Sequence, residues 1–500
     1  MDPERTPVVV AAGQLTCRER DLTPLELATR AAEIALSESP RLRAKIEKLS
    51  VVNILSRTVG HRPASRVASA LGLDLAPGAL ETTTVSGSTP QWLVQRAASD
   101  IAAGRLSAAV ITGAEGVRSG RMRGQGEARE PRPHEDEDAS MEADAVIGDA
   151  RIGSSDAEIA AGLFIPVYVY PVIESALAAR DDRDPAAQRA FVSELLARFS
   201  GVAARHPDAW FPVERSAEEI ATPAPDNRLV AEPYTKLMTA FLGAAQGAAV
   251  VVTSLAVARE LAIDDGAMFV RASATANDVW YPSERPDLTS SPAIAAAGAA
   301  ALDAAGVGLD ELDFIDLYSC FPCAVQIGAE ALGLGLDDPR GLTITGGLPY
   351  FGGPGNNYAS HSIATLFTLL RERGGHGLIT ALGWYVTKHA AGCYSATPGP
   401  SGFRVGDTTE DQESIDASAR PCVAPAEHLD PTRARVVGGT VTYGHDGEVT
   451  SAPVIADLAD GRRVVAAAAP DECLLRSLAG RSLVGETVEV SGSPQTYRLG

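Results

Sequence analysis

Residues 81–116 read ETTTVSGSTPQWLVQRAASDIAAGRLSAAVITGAEG, and this stretch decides the fold. A threonine-rich run of strand character enters a Ser/Gly/Pro loop. A helix follows, then a short turn with Gly104 and Arg105, then an apolar strand. Between positions 92 and 103 only Gln95, Arg96 and Asp100 are strongly polar. A helix without a continuous charged face is buried on more than one side. The same order returns at 342–384, LTITGGLPYFGGPGNNYASHSIATLFTLLRERGGHGLITALGW. There Ile363, Leu366, Phe367 and Leu370 share one helix face, and Ala364, Thr365 and Thr368 keep the other small. Such an internal echo predicts two similar halves, each sending one buried helix to the centre. The helices at 92–103 and 363–370 are expected side by side, with their N-termini directing free N–H groups and positive dipole ends at a shared site.

Outward from these echoes, strands alternate with helices. TPVVVAAGQ at 6–14 reads as a strand, and Thr23-Pro24 opens a helix pattern. Alternation of this kind gives an α/β fold with a sheet covered on both faces. Between the halves an insertion of about 117–240 carries the acidic run PRPHEDEDASMEAD and later an amphipathic helix around RAFVSELLARF, which suits a lid. Carboxylates in a run are ordinarily hydrated, and no metal site is expected there. After position 397 the chain turns polar and proline-containing. Short strands with turns at His445-Asp446-Gly447 and Asp460-Gly461 then predict a small β-barrel. The boundaries read 1–260, 261–397, a linker at 398–431, and the barrel at 432–500.

Five hundred residues exceed one core, and a formal net charge of -21 repels phosphate backbones and anionic lipid heads. Nucleic acid and membrane surfaces are therefore poor partners. The barrel lacks the basic groove and stacking aromatics of a single-strand binder, so a docking or structural role fits it better. Cys17, Cys320, Cys323, Cys393, Cys422 and Cys473 follow no framework spacing. Free thiols in a reducing cytosol are expected, and with no leader pattern at the N-terminus the protein reads as cytoplasmic. Cys320-x-x-Cys323 lacks the second pair that zinc would need, and buried inert thiols are the simpler reading.

The segment 82–116 resembles the nucleophile strand, loop and helix of thiolases. FIDLYSCFPCAVQIGAEALGL at 314–334 resembles the segment where thiolases carry Asn-Glu-Ala-Phe, nearer the His-Asp-Cys-Phe form of sterol-carrier-type thiolases. ITGGLPYFGGPGNNYASHSIATL at 344–366 resembles the Gly-His-Pro loop, and GLITALGWYVTKHAAGCYS at 377–395 the strand of the second cysteine motif. Order and spacing agree across most of the chain. The resemblance implies a thiolase-like, five-layered αβαβα fold of two pseudo-symmetric halves, with an added C-terminal domain of OB type. It implies CoA or acyl-CoA as ligand and no resident cofactor.

Carried over position by position, the chemistry is missing. The nucleophile position falls at Gly87, or at Ser88 with one gap. Tyr318 stands where the family holds a water through asparagine or histidine, Gly353 where it has the basic histidine, and Ala381 where it has the second cysteine. Gly352, Gly353, Pro354 and Gly383 keep the loop shapes that would cradle a thioester. A thiolase needs a thiolate, a base and oxyanion donors. The substitutes available are Ser88, Cys320 and His361. Against each stands a plainer role: Ser86 to Ser88 as a helix cap, Cys320 as a buried thiol, His361 as a packing histidine. His389 is a weaker candidate. The reading is an acyl-CoA-binding protein of acetyl-CoA acetyltransferase type with ordinary thiolase activity weak or absent. The alternative is a non-catalytic acyl-CoA-binding or partner protein acting through its barrel.

Overall fold

The computed structural model describes residues 2–19, 22–56, 59–116 and 142–499. The acidic run lies outside these residues except for 142–144. At its end Asp144 has a defined role: its carboxylate accepts from the backbone N–H of Ala64 at 2.6 Å and of Ser65 at 3.1 Å, capping helix α2 (Pro63–Ala70).

Two half-sheets repeat one plan. In the first, β2 (Lys48–Val51) runs parallel to β4 (Ala108–Glu115), β4 antiparallel to β8 (Gln246–Ser254), and β8 antiparallel to β1 (Pro7–Thr16). In the second, β10 (Phe314–Asp316) runs parallel to β11 (His376–Gly383), β11 antiparallel to β12 (Lys388–Ser395), and β12 antiparallel to β9 (Met268–Asn277). The orders match strand for strand. β1 and β9 meet antiparallel at Val8 with Phe269 and Val9 with Met268, which joins the halves into one mixed sheet about a pseudo-two-fold. β3 (Leu80–Thr83) pairs with β2, and β5 (Ala145–Ile147) from the insertion pairs with β3 at the edge.

Three apolar cores produce the layering. Helix α1 (Pro24–Ser37), started by a Thr23/Glu26 capping box, packs Leu27, Ala28 and Ala31 on the outer face of the first half with Val8, Val110 and Val251. Helix α3 (Thr89–Ala102) and helix α8 (Tyr358–Arg373) share the central core. There Leu93, Val94 and Ile101 meet Ile363, Leu366 and Phe367 between Val250 of one half and Ile379 of the other. Helix α6 (Pro292–Ala305) and helix α7 (Pro322–Ala331) cover the outer face of the second half through Ala293, Ala297, Cys323 and Ile327. The expected five layers and the paired central helices are what the chain forms.

The insertion supplies α4 (Pro166–Arg180) and α5 (Pro185–Ala203), with β6 (Leu229–Ala231) and β7 (Tyr234–Thr235). The polar stretch after 397 is more structured than its composition predicts. β13 (Arg404–Val405) pairs with β9, and on α9 (Thr409–Ala417) the Gln412 amide bonds both the N–H and the carbonyl of Asn277. Phe403 and Ile415 are its buried anchors, too few for a periodic signal.

The C-terminal barrel closes in the order β14 (Leu429–Gly439), β17 (Pro453–Leu458), β18 (Arg463–Ala468), β20 (Gln495–Leu499), β19 (Thr487–Gly492) and back to β14. Its third and fifth strands are parallel, with helix α10 (Glu472–Leu478) between the third and fourth. That is the OB-like arrangement. β15 (Thr442–Tyr443) and β16 (Val449–Ser451), which lie between β14 and β17, extend β6 and β7 into a four-stranded sheet. The barrel docks on this insertion: Gly439 N–H donates to Ser175 Oγ at 3.0 Å and Tyr443 Oη to Glu232 at 2.9 Å.

Candidate active site

Four loops converge at the start of α3, and small residues set how closely. A Cβ built on Gly87 would fall on the Tyr318 hydroxyl and the Leu382 carbonyl oxygen. One built on Gly383 would fall on Ser86 Oγ. Gly87, Tyr318, Leu382, Gly383 and Ser86 therefore form one close-packed point, with Ala381 the next residue on β11. Tyr318 is held by its own N–H to Thr380 Oγ1 at 2.9 Å and by an edge-on contact with Tyr358, ring centres 5.4 Å apart. Burial, then the nearby Cys320, pushes its phenol well above the ordinary tyrosine range, so it stays neutral. A cavity of about 20 Å³ borders Tyr318, Ala381, Leu382 and His389 against Ala297 and Ala324, room for about one water.

The proposed substitutes separate. Ser88 is buried beside the point, and its Oγ lies 2.7 Å from Ser86 Oγ. Its side chain does not accept the N-cap bond of α3 that the sequence suggested; the serine pair satisfies itself instead. Cys320 is buried against Tyr170, and burial pushes its thiol up to about 12, far from the thiolate that nucleophilic attack needs. His361 faces the other way. Its Nδ1 lies 3.0 Å from Gln14 Oε1 on β1, and its ring meets Phe351 edge-on at 5.1 Å. Burial and then the neighbouring His206 push it down to about 3, so it is neutral, and its Nε2 has no hydrogen-bond partner among the described residues.

His389 sits at the outer-helix side of β12. Gly392 and Tyr394 of the same strand meet Gln91 of α3 on the central side, whereas His389 Nε2 bonds Asp278 at 3.1 Å. Asp278 in turn takes the Ser291 hydroxyl and the N–H of Ala293 at the start of α6. Burial opposes its ionisation, but the bond from His389 and the Arg285 charge outweigh that and hold the carboxyl below its usual range. This pair pins a helix start.

The glycine loop has two different tolerances. Gly352 has φ +116, and a Cβ there would strike the Gln246 side chain. At Gly353 a Cβ would rest at ordinary contact, 3.4 Å from the Phe241 carbonyl oxygen, so space alone does not require glycine there. Downstream, Asn357 Nδ2 bonds the Gly113 carbonyl at 2.6 Å and Asn356 Nδ2 that of Asn53 at 3.0 Å, tying this loop to the first half.

Sequence reasoning missed a buried polar cluster behind the loop. Gln246 Nε2 donates to the carbonyls of Phe351 and Asp208, and His206 Nε2 lies 3.0 Å from Thr365 Oγ1. Burial pushes His206 down to about 4 and Asp208 up to about 6. Isolated Gln and His residues on separate strands and loops carry no motif; only the fold assembles them. Among the described residues no group of three or more His, Cys, Asp or Glu could hold a metal ion, and no helix is long and apolar enough to cross a membrane.

Comparison with known proteins agrees with this architecture. Residues 274–347 match the thiolase C-terminal domain-like family model. No curated protein matches. Among solved structures, a monomeric SCP2-thiolase-like protein type 1 from Mycobacterium smegmatis is 30% identical, covers 100% of both chains and has a TM-score of 0.83. An Ltp2-ChsH2(DUF35) aldolase structure is 17% identical over 78% of this chain and 98% of that one, with a TM-score of 0.57. The acetyl-CoA acetyltransferase of Syntrophomonas wolfei is 15% identical over 78% and 99%, with a TM-score of 0.55. The last two share the fold alone, and the full-length match places the chain: it belongs to the thiolase-like superfamily, with the SCP2-thiolase-like proteins.

Proposed function

We propose that this protein binds CoA or acyl-CoA on a thiolase-type fold in the cytoplasm and does not carry out ordinary thiolysis. The observation that carries the reading is the Tyr318 hydroxyl, which stands where a side chain at position 87 would have to be. The loss is therefore more than a cysteine exchanged for glycine: the nucleophile's volume is filled by another residue. Ser88 lies next to that point with its Oγ on Ser86 Oγ, and His361 is turned toward Gln14 instead. Cys320 is held as a thiol by burial. Binding is supported by the retained loop glycines and the two central helices. The barrel, docked on the lid through Glu232 and Ser175, is the surface we assign to a protein partner.

Members of a catalytic set act as a unit, and losing the set costs on the order of a million-fold in a hydrolase triad. Acetoacetyl-CoA thiolysis by the isolated protein is expected at background, while calorimetry with acetyl-CoA should show saturable heat. Robust thiolysis would overturn the non-catalytic reading. Absence of heat with any CoA ester up to millimolar concentration would overturn the ligand class.

A further inference from the structure

A cleft of about 580 Å³ separates the C-terminal half of α4 from the barrel. Ala176, Ala179 and Arg180 form one wall, Asp287 to Thr289 the floor, and Arg435, Val437, Arg463 and Gly485 the other wall. Its size is that of a small-molecule site, and its lining mixes aliphatic surface with three guanidinium groups.

The charges decide what it would accept. Of the two carboxylates in the lining, Asp457 is paired with Arg463 Nε and Arg420 Nη1, each at 2.9 Å, while Asp287 accepts the hydroxyls of Thr289 and Ser290 and keeps its negative charge on the floor. Arg180 is paired with Asp181 and Glu330. Arg463 is buried in the wall, with Nη2 on the Pro286 carbonyl and Nη1 without a hydrogen-bond partner among the described residues. Arg435 is exposed, and none of the described side chains pairs with it. It lies along the same wall, with Nη2 3.9 Å from where a Gly485 Cβ would stand. Arg435 thus presents a free guanidinium beside the aliphatic surface of Ala176, Ala179, Leu288 and Val437. Its planar fork matches carboxylate and phosphate oxygens.

We propose that this cleft between lid and barrel binds a small organic anion, a carboxylate or phosphate ester with an apolar body, whose charged end is held by Arg435. The site is separate from the Gly87–Tyr318 point and does not depend on it. Titration calorimetry of the full chain with phenyl phosphate and, separately, benzoate tests it and tells the two anion sources apart. At least one should bind with a Kd below about 1 mM. Arg435→Ala, an exposed change that leaves every described pair intact, should weaken that binding about tenfold or more. No heat with either probe up to about 10 mM, or equal affinity in the Arg435→Ala variant, would overturn the proposal.

Discussion

Gly87 and Tyr318 are far apart in sequence and meet in space, and this sets the energetics of placing any larger side chain at position 87. A Cβ at 87 meets a side-chain hydroxyl and a backbone carbonyl. The phenol can move; the Leu382 carbonyl is fixed in the β11–β12 hairpin. Gly87→Cys should destabilise the fold by about 2 kcal/mol, as overpacking does. Tyr318→Ala alone removes a buried aromatic and should cost about 3–5 kcal/mol. The double variant should cost less than the sum by about 1 kcal/mol, because one change makes room for the other. Urea unfolding of the four proteins measures the coupling, and strictly additive costs would mean that the two residues do not compete for space. That a glycine opens the loop before α3 was legible in the sequence. Its contact with Tyr318 was not, since no local pattern reports a contact between distant loops.

At the scale of elements, the sequence disclosed what repeats and hid what occurs once. The strand-loop-helix-strand echo located both central helices, because a helix with no continuous charged face has only one place to go. The single β1–β9 seam, the edge strand β5 and helix α9 have no echo and few apolar anchors. The polar cluster behind α8 is equally silent in sequence, and it makes that element sensitive to acid. His361 is held neutral to about 3, against about 6.5 when unfolded. Between those values the unfolded chain binds a proton that the folded chain refuses, so stability falls as pH drops from about 6.5. His206, pushed down to about 4, acts in the same direction, and Asp208, pushed up to about 6 by burial against the opposing effect of the nearby Arg18, acts against both. Comparing wild type with His361→Gln cancels these shared terms. Between pH 7.5 and pH 5 the wild type should lose about 2 kcal/mol more than the variant. Parallel pH profiles in chemical denaturation would show that His361 is not protected from protonation by the fold.

For the molecule as a whole, the barrel is connected to the rest in two ways, and each has its own test. Covalently it hangs on residues 398–428, most of them exposed and anchored mainly by Phe403, Ile415 and the Gln412 bonds to Asn277. Non-covalently it is held by the Tyr443–Glu232 bond, the Gly439–Ser175 bond, the β15–β6 pairing, the Arg463–Pro286 bond and the burial of Ile455 and Val465 in the same core as Val172 and Leu288. Exposed backbone with few buried side chains opens locally at low free energy, so within residues 142–499 a protease should cut first between Thr397 and Pro431. Once that link is cut, the non-covalent contacts alone determine whether the barrel stays. Glu232 is buried and accepts from Tyr443 while Arg189 lies 3.5 Å away, so Glu232→Ala leaves a buried hydroxyl and a guanidinium unsatisfied. A loss of about 1–3 kcal/mol, taken from this interface, is expected. Nicked wild type should still elute from a sizing column as one species with the barrel attached, and nicked Glu232→Ala should release it at a lower urea concentration. A first cut inside the barrel, or release of the barrel from nicked wild type, would show that these contacts do not hold the two parts together.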